Sequence, residues 1–230
     1  MATTITGTTI DVGTNVIVTD SAGNVGIGIS SPAEMLEIYN TSSPAIQLND
    51  GGDYKSIMRL AGNDLEIRGS SGSLEFYNGA ADGDSSDLAM KIDNAGIVTK
   101  PLQPAFSAYR TLGDVTSGVY ICNLTHFNTG GHYSIATGRF TAPVAGRYMI
   151  SSMLMSQTDN TYTNKAYTIR VNDSIYKEVY GSSGSAVHHQ FVWSGIIELA
   201  ANDYVTLVYQ NLTMYGGGST YSTFSGNLIG

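Results

Sequence analysis

Residues 128–148 read NTGGHYSIATGRFTAPVAGRY, and their aromatic, asparagine and glycine positions stand at spacings typical of one kind of β-sandwich. Asn128 is followed by Tyr133, Phe140, Gly146 and Tyr148. Glycine and asparagine mark turns, whereas aromatic residues between them favour half-buried strands. The stretch therefore predicts short strands that pack into a sandwich.

Four segments downstream have the same character. Each is rich in β-branched and aromatic residues, is bounded by Gly, Asn, Asp or Pro, and several alternate apolar with polar residues. They span 147–155, 167–171, 191–199 and 204–209. Short strands with regular turn signals and no helical periodicity predict an all-β fold, either a sandwich or a jelly roll.

Two further motifs connect this pattern to a known family. PAFSA at 104–108 and FSGNL at 224–228 flank the central stretch at the two ends of the region. Together the three motifs resemble the complement globular-head (C1q) branch of the tumour-necrosis-factor-like jelly rolls. The resemblance covers residues 104–230, about half the chain, and implies a C-terminal jelly-roll β-sandwich that builds trimers.

Three positions depart from the family pattern. The chain has Cys122, Ile150 and Ser152 where the family has aromatic residues, so we expect a repacked core. Volume-conserving changes inside a core alter packing more than they alter the fold. Phe140, Tyr148 and Trp193 are expected to be largely buried, in the sandwich or at the threefold seam.

The first hundred residues have a different composition. Very short strands are predicted at 16–18, 45–48, 56–60, 65–68 and 74–77, separated by turns rich in Gly, Asp and Ser. Leu65 and Ile67 face one side of their strand, whereas Glu66 and Arg68 face the other. Strands this short and polar do not bury a self-sufficient core. We therefore expect a β-rich shaft in which three copies bury their apolar stripes together, as a triple helix or as stacked sheets.

The shaft also contains a recognisable motif. GNVGIG at 23–28 resembles a segment common in bacteriophage tail-fibre and other virion-fibre proteins, and residues 19–26 are echoed at 92–98. SPAE at 31–34 has the form of a capping box and predicts a single helical turn. We divide the chain into a shaft at 1–100 with an N-terminal virion-docking segment, a linker at 101–103, and the jelly roll at 104–230.

Composition excludes several classes of protein. The net charge is -8, which disfavours nucleic acid or an anionic membrane as a partner. Cys122 is the single cysteine, so no intramolecular disulfide forms. The sequence shows no secretory signal and no segment that predicts membrane insertion. We expect a soluble virion protein that assembles in the host cytoplasm.

The sequence contains little that indicates catalysis. The four histidines have no nucleophile elbow and no metal-ligand spacing around them, so we expect no enzyme, no metal and no cofactor. Asp82, Asp84 and Asp87 resemble the start of a calcium loop but lack its sixth-position glycine. That pattern favours a solvated turn and leaves calcium binding open.

Recognition of a partner by surface loops is the remaining class of function. In the family the C terminus returns to the base of the jelly roll, which implies that the connections at 156–165, 181–187 and 213–221 share the free end. Their Tyr, Asn, Asp and Ser side chains suit stacking and hydrogen bonding to a saccharide or protein surface. The candidate binding residues are Asp159, Asn160, Tyr162, Asn164, Ser182, Ser183, Tyr215 and Tyr221.

These patterns favour a homotrimeric bacteriophage virion fibre whose distal head contacts the host surface, and whose N-terminal segment binds other virion proteins. One alternative is a purely structural head-decorating or neck fibre whose terminal domain locks the trimer. A cellular ligand of the complement or cytokine type is disfavoured by the fibre-like shaft.

Overall fold

The computed structural model describes residues 9–12, 15–19, 23–49, 55–69, 72–78, 88–157, 166–180, 188–210 and 212–230. Every regular element within these ranges is a β-strand. Over the same ranges, there is no helix with the length and apolar character needed to cross a membrane. The chain divides into two compact units, Met1–Thr99 and Lys100–Gly230.

The described residues of the first unit form ten strands in three small sheets. Their bounds are β1 Thr9–Val12, β2 Asn15–Thr19, β3 Val25–Ile27, β4 Leu36–Ile38, β5 Ala45–Asn49, β6 Lys55–Ala61, β7 Asp64–Gly69, β8 Leu74–Tyr77, β9 Leu88–Ile92 and β10 Val98–Thr99. The sheet orders are β1-β2-β3-β4, β5-β6-β7 and β10-β9-β8. All pairs are antiparallel except β3 with β4. The short strands predicted from alternation are therefore present.

The glycines of the GNVGIG motif allow a close chain approach. A Cβ at Gly26 would lie 2.6 Å from the carbonyl oxygen of Ile29, and one at Gly28 would lie 2.3 Å from that of Tyr39. Gly28 also has a φ of 79°, a conformation that side chains disfavour. The motif thus permits the tight return that places β4 parallel to β3.

The internal echo corresponds to a repeated hairpin. The register pairs Thr19 with Val25 and Ile92 with Val98, so the two connections have the same length. Gly23 and Gly96 have φ values of 85° and 83°. The repeated residues therefore join two antiparallel strand pairs through connections of equal length.

The helical turn predicted at 31–34 is wrong. Residues 28–35 form bends with no helical assignment. The backbone amide of Ala33 donates to the Glu37 carboxylate over 2.7 Å, and Pro32 is buried against the Gly26 side of the turn. The segment uses its carboxylate and proline to hold a bend, so it does not begin a helix.

In the second unit, the part of the chain that the structure describes forms eleven strands in two sheets. Their bounds are β11 Ala105–Tyr109, β12 Gly118–Val119, β13 Leu124–Thr129, β14 Tyr133–Ser134, β15 Arg139–Thr141, β16 Gly146–Met155, β17 Ala166–Val171, β18 Ser174–Tyr180, β19 Gln190–Leu199, β20 Tyr204–Gln210 and β21 Thr223–Leu228. One sheet has the order β13-β11-β21-β16-β19. The other has the order β14-β15-β20-β17-β18, with β12 paired to β20. The last strand lies between the first and the long central strand, as in the predicted jelly roll.

Stacked aromatic rings fill the space between the sheets. The Phe106 ring lies 4.9 Å from that of Tyr133 and 4.7 Å from that of Phe140, and Phe224 meets it edge-on at 4.9 Å. Phe140 and Tyr148 are fully buried, as predicted. Aromatic pairs of this kind stabilise a core beyond the area they bury.

Two of the three departures from the family pattern, Cys122 and Ser152, are accommodated by neighbouring tyrosines. The Tyr133 hydroxyl accepts from the Cys122 amide and donates to its carbonyl, at 3.1 and 3.0 Å. The Ser152 hydroxyl lies 2.6 Å from that of Tyr167, and Ile150 is fully buried. Trp193, by contrast, is only half-buried, because β19 is an edge strand and its ring lies over Gly195.

Candidate recognition end and self-association surfaces

Strand ends from three connections meet at one end of the second unit. Met155 pairs with Gln190 at the ends of β16 and β19. The Ser156 amide donates to the His189 carbonyl, and the Gln157 amide donates to the Thr213 carbonyl, both over 2.9 Å. We call this the distal end, since Ala105 and Gly230 lie at the other. The grouping expected for the connections at 156–165, 181–187 and 213–221 holds at their described ends.

Two of the predicted binding residues lie in contact at the distal end. The rings of Tyr215 and Tyr221 are 5.0 Å apart and nearly perpendicular. The His188 ring lies 5.7 Å from that of Tyr215. We call these three residues the distal aromatic cluster. The other six predicted binding residues lie outside the described ranges: Asp159, Asn160, Tyr162, Asn164, Ser182 and Ser183. Asp82, Asp84 and Asp87 of the possible calcium loop also lie outside them.

The backbone around Tyr215 is held on both sides. Its amide donates to the Met155 carbonyl over 2.8 Å, and its carbonyl accepts from the Tyr120 hydroxyl over 3.0 Å. The next amide, of Gly216, donates to the Asp114 carboxylate over 3.0 Å. Because these bonds fix the main chain, the Tyr215 ring is presented in a defined position, which limits the entropy lost on binding.

Glycines after Tyr215 make this arrangement possible. A Cβ at Gly216 would lie 2.1 Å from the Gly113 carbonyl oxygen, and one at Gly217 would lie 2.1 Å from the Tyr215 ring. Any larger residue would displace the backbone or the ring. The run GGG at 216–218 is therefore the sequence signal that a close approach occurs here.

A buried arginine supports the cluster from below. Arg110 is 7% exposed, and its guanidinium donates to the carbonyls of Gly113 and Ile121 over 3.1 and 2.9 Å. The same group lies 5.7 Å from the centre of the Tyr120 ring. Burial is the main cause that raises the pKa of Tyr120. A neutral Tyr120 therefore keeps donating to Tyr215 at ordinary pH.

Sequence reasoning missed Asp114 and His188 as residues of this site. Asp114 bridges two connections, because its second oxygen accepts from the Gln157 side chain over 2.5 Å. His188 packs in the cluster against Tyr215. With two aromatic edges and an exposed imidazole, the cluster can stack against a sugar ring or an apolar side chain and donate hydrogen bonds.

A second surface covers the outer face of the five-stranded sheet. Its register aligns Ser107, Ser225, Ser151 and Ser194 in one row across the strands. Large apolar residues flank this row and are 38–60% exposed: Phe127, Met149, Val192 and Ile196. A groove of about 290 Å³ lies over Ser151 and Ser225, beside Phe127 and Met149. We call this surface the face patch.

A third surface lies at the open edge between β18 and β19. Ile175, Tyr176 and Tyr180 are 48–63% exposed. The Tyr176 ring meets the half-buried Trp193 edge-on at 6.3 Å, and its hydroxyl donates to the Ile196 carbonyl over 3.3 Å. We call this surface the edge patch. Contiguous apolar surfaces of this kind mark sites of protein association.

Within the described ranges, no group of three or more His, Cys, Asp or Glu residues is placed to hold a metal ion. The Cys122 thiol is buried, and burial raises its pKa to about 12. Such a thiol is a poor nucleophile, because the thiolate is the reactive form.

Comparison with known proteins covers the second unit. The family model for the C1q domain matches residues 105–229. The chain is 30% identical over 133 residues to human complement C1q tumor necrosis factor-related protein 3, covering 56% of this chain and 52% of the relative. It is 28% identical over 134 residues to zebrafish Caprin-2, covering 56% of this chain and 14% of that protein. The chain thus spans about half, or far less, of the length of these relatives.

Solved structures give a similar coverage. The globular domain of the zebrafish complement 1qA protein is 19% identical, with a TM-score of 0.47. The alignment covers 56% of this chain and 98% of that domain.

Proposed function

This chain belongs to the C1q domain family, and from that premise we propose that it is a homotrimeric bacteriophage virion fibre whose distal head attaches to the host surface. C1q and tumour-necrosis-factor-like domains commonly form homotrimers. The coexistence of the face patch and the edge patch on one domain is the observation that carries the proposal for this chain.

A threefold ring needs two different, complementary surfaces on each subunit, because each copy contacts its neighbours through opposite sides. The face patch offers a groove lined by serines and flanked by large apolar side chains. The edge patch offers the projecting Tyr176, Tyr180 and Trp193 rings. When the edge patch of each copy packs into the groove of the face patch on the next copy, the same contact occurs three times and closes a ring.

The fibre assignment rests on the first unit. Its GNVGIG turn is like that of virion-fibre shafts, and its short sheets leave apolar residues exposed, for example Leu65 at 67% and Leu48 at 70%. An extended trimeric shaft covers such residues without a large core in each chain. We propose that the N-terminal segment docks to other virion proteins after assembly in the host cytoplasm.

The attachment role rests on the distal aromatic cluster. Trimerisation presents three copies at the end away from Ala105, so weak contacts to a saccharide or protein combine into avidity. The proposed role needs no catalytic step, no cofactor and no metal. The backbone around Tyr215 is held by several hydrogen bonds. That arrangement favours a role in recognition over a loop that is merely solvated.

A purely structural head-decorating or neck fibre is the second candidate. The face and edge patches favour it, because they account for a domain that locks the trimer without any use of the distal cluster. Adsorption to host cells separates the two candidates.

The test replaces Tyr215 and Tyr221 together by Ala in the full chain. We expect an intact trimer by light scattering and at least a tenfold loss of adsorption to host cells near half-saturation. Val144→Ala, an exposed truncation away from the distal cluster, is the matched control and should adsorb like the parent. Equal adsorption by the folded double variant favours the structural candidate.

A further inference from the structure

The sheet β5-β6-β7 has one apolar and one polar face. Its register aligns Ile46, Met58 and Ile67, and also Leu60 with Leu65. The large apolar side chains of this face are between 41% and 70% exposed: Ile46, Leu48, Met58, Leu60, Leu65 and Ile67. Scattered exposed residues are normal on a monomer, whereas a continuous surface of this kind is a contact surface.

The opposite face carries charge. Glu66 accepts from Arg59 over 2.7 Å and lies 2.9 Å from Arg68. Gln47 shares this face, and Ile57 is its one large apolar residue in the register. The charges belong in water, because burial of such a group costs several kcal/mol per ion. The sheet therefore has an inner and an outer side.

The sheet β10-β9-β8 repeats the arrangement. Leu74, Ile92 and Val98 align on one face, beside Phe76 and Met90. On the other face, Lys91 lies 2.9 Å from Glu75 and also pairs with Thr99. Two successive sheets thus each have an apolar face and an opposite face that carries an ion pair.

We infer that the apolar faces of these two sheets are covered by the same faces of two further copies of this chain. Three copies of each sheet then enclose an apolar prism, and the prisms stack along the shaft with their ion pairs outside. The inference rests on the proposed homotrimer and decides between stacked sheets and a triple helix.

The occupant is a second copy because of the connection to the C1q domain. β10 ends at Thr99 and β11 begins at Ala105, so in each copy a five-residue connection links the sheet β10-β9-β8 to the C1q domain. Tethering through a short connector raises the effective concentration of the three sheets to about the millimolar range. Their apolar faces bury no charge against each other, whereas a different partner would need to compete with that concentration.

Single-cysteine cross-linking of the full chain tests this assignment. Met58→Cys and Ile67→Cys place a thiol on the apolar face, and Gln47→Cys places one on the charged face. The native Cys122 is fully buried and stays unreactive in folded protein. Each variant is air-oxidised with a copper catalyst and analysed on a non-reducing denaturing gel, after light scattering of the untreated protein.

We expect trimer masses for all three variants, a disulfide-linked dimer as the main product of Met58→Cys or Ile67→Cys, since one disulfide joins two of the three thiols, and a single-chain band for Gln47→Cys. Two apolar-face variants are used because one substitution can disturb packing. Trimer mass with no cross-linking at Met58 or Ile67, or equal cross-linking at Gln47, overturns the prism while leaving the homotrimer intact. A monomer mass for the parent overturns the proposed function itself.

Discussion

The two units of this chain are both built from strands, yet they solve the problem of burial differently. The second unit places a continuous cluster of buried residues between its sheets, from Phe106 to Phe224. The first unit has sheets of three or four short strands, and the described apolar residues on one face of β5-β6-β7 remain exposed. The difference shows that strand content alone does not make a unit self-sufficient, because a core requires a second layer to cover the apolar side.

The largest expected effect is in the buried ring stack. Phe140→Ala should lower the free energy of unfolding of the second unit by about 3–5 kcal/mol, because it removes the ring that stacks on Phe106 and leaves a cavity. Fluorescence of Trp193, the chain's only tryptophan, reports this unfolding. Ile135→Ala, at an exposed turn, is the control and should melt like the parent. Equal melting of the two variants would place Phe140 outside the core.

A smaller effect is expected at the polar pair inside the same core. Ser152→Ala leaves the buried Tyr167 hydroxyl without its partner and should cost about 1–3 kcal/mol. The double variant Ser152→Ala/Tyr167→Phe removes both hydroxyls and should recover most of that loss. Chemical denaturation followed by Trp193 fluorescence measures the cycle. A double variant no more stable than the single one would contradict the pairing.

Alkaline pH should affect the second unit selectively. Burial raises the pKa of Cys122 from 9.0 to about 12 and that of Tyr167 from 10.0 to about 12. Since the folded state favours the neutral forms, this stability is complete below about pH 9 and is lost as pH rises toward 12. Its melting temperature should therefore fall between pH 9 and 11. Cys122→Ala should delay the onset, and a flat profile in the parent would exclude the linkage.

The smallest effect, of opposite sign in pH, belongs to the first unit. Hydrogen bonds from Ser73, Tyr77 and Lys91 lower the pKa of Glu75 from 4.5 to about 2. The folded state favours the charged carboxylate, so this contribution is present above pH 4.5 and is lost as pH falls toward 2. Circular dichroism without a matching change in Trp193 fluorescence isolates the first unit. Because the Glu75–Lys91 pair is on the surface, the loss of stability at low pH should be small and should shrink in high salt. It should vanish in Glu75→Gln.

Local patterns predicted the strands of both units and the sidedness of Leu65, Ile67, Glu66 and Arg68, because alternation in a strand depends only on neighbouring residues. Burial of Phe140 and Tyr148 was also predictable. Trp193 is half-buried in the single chain, because β19 is an edge strand and the ring contacts Tyr176, and its expected burial at a threefold seam stays a prediction.

The residues of the distal end were predicted only in part. The composition of the last loop indicated Tyr215 and Tyr221, whereas Asp114 bonds Gly216 from 102 positions away in sequence. Arg110 and Tyr120 likewise support Tyr215 only after the sheets have formed. Contacts of such sequence separation depend on topology, so no local pattern identifies them.

The backbone bonds at the distal end also bear on how such a protein diversifies. The Ser156 amide is bonded to His189 and the Gln157 amide to Thr213, so the described strand ends that flank residues 158–165 and 181–187 are fastened to the sandwich. A change of sequence at 158–165 or 181–187 replaces no residue of the buried ring stack. The connections at the distal end can therefore change under selection while the buried core stays the same. The residues that determine stability and those proposed to determine specificity then evolve separately.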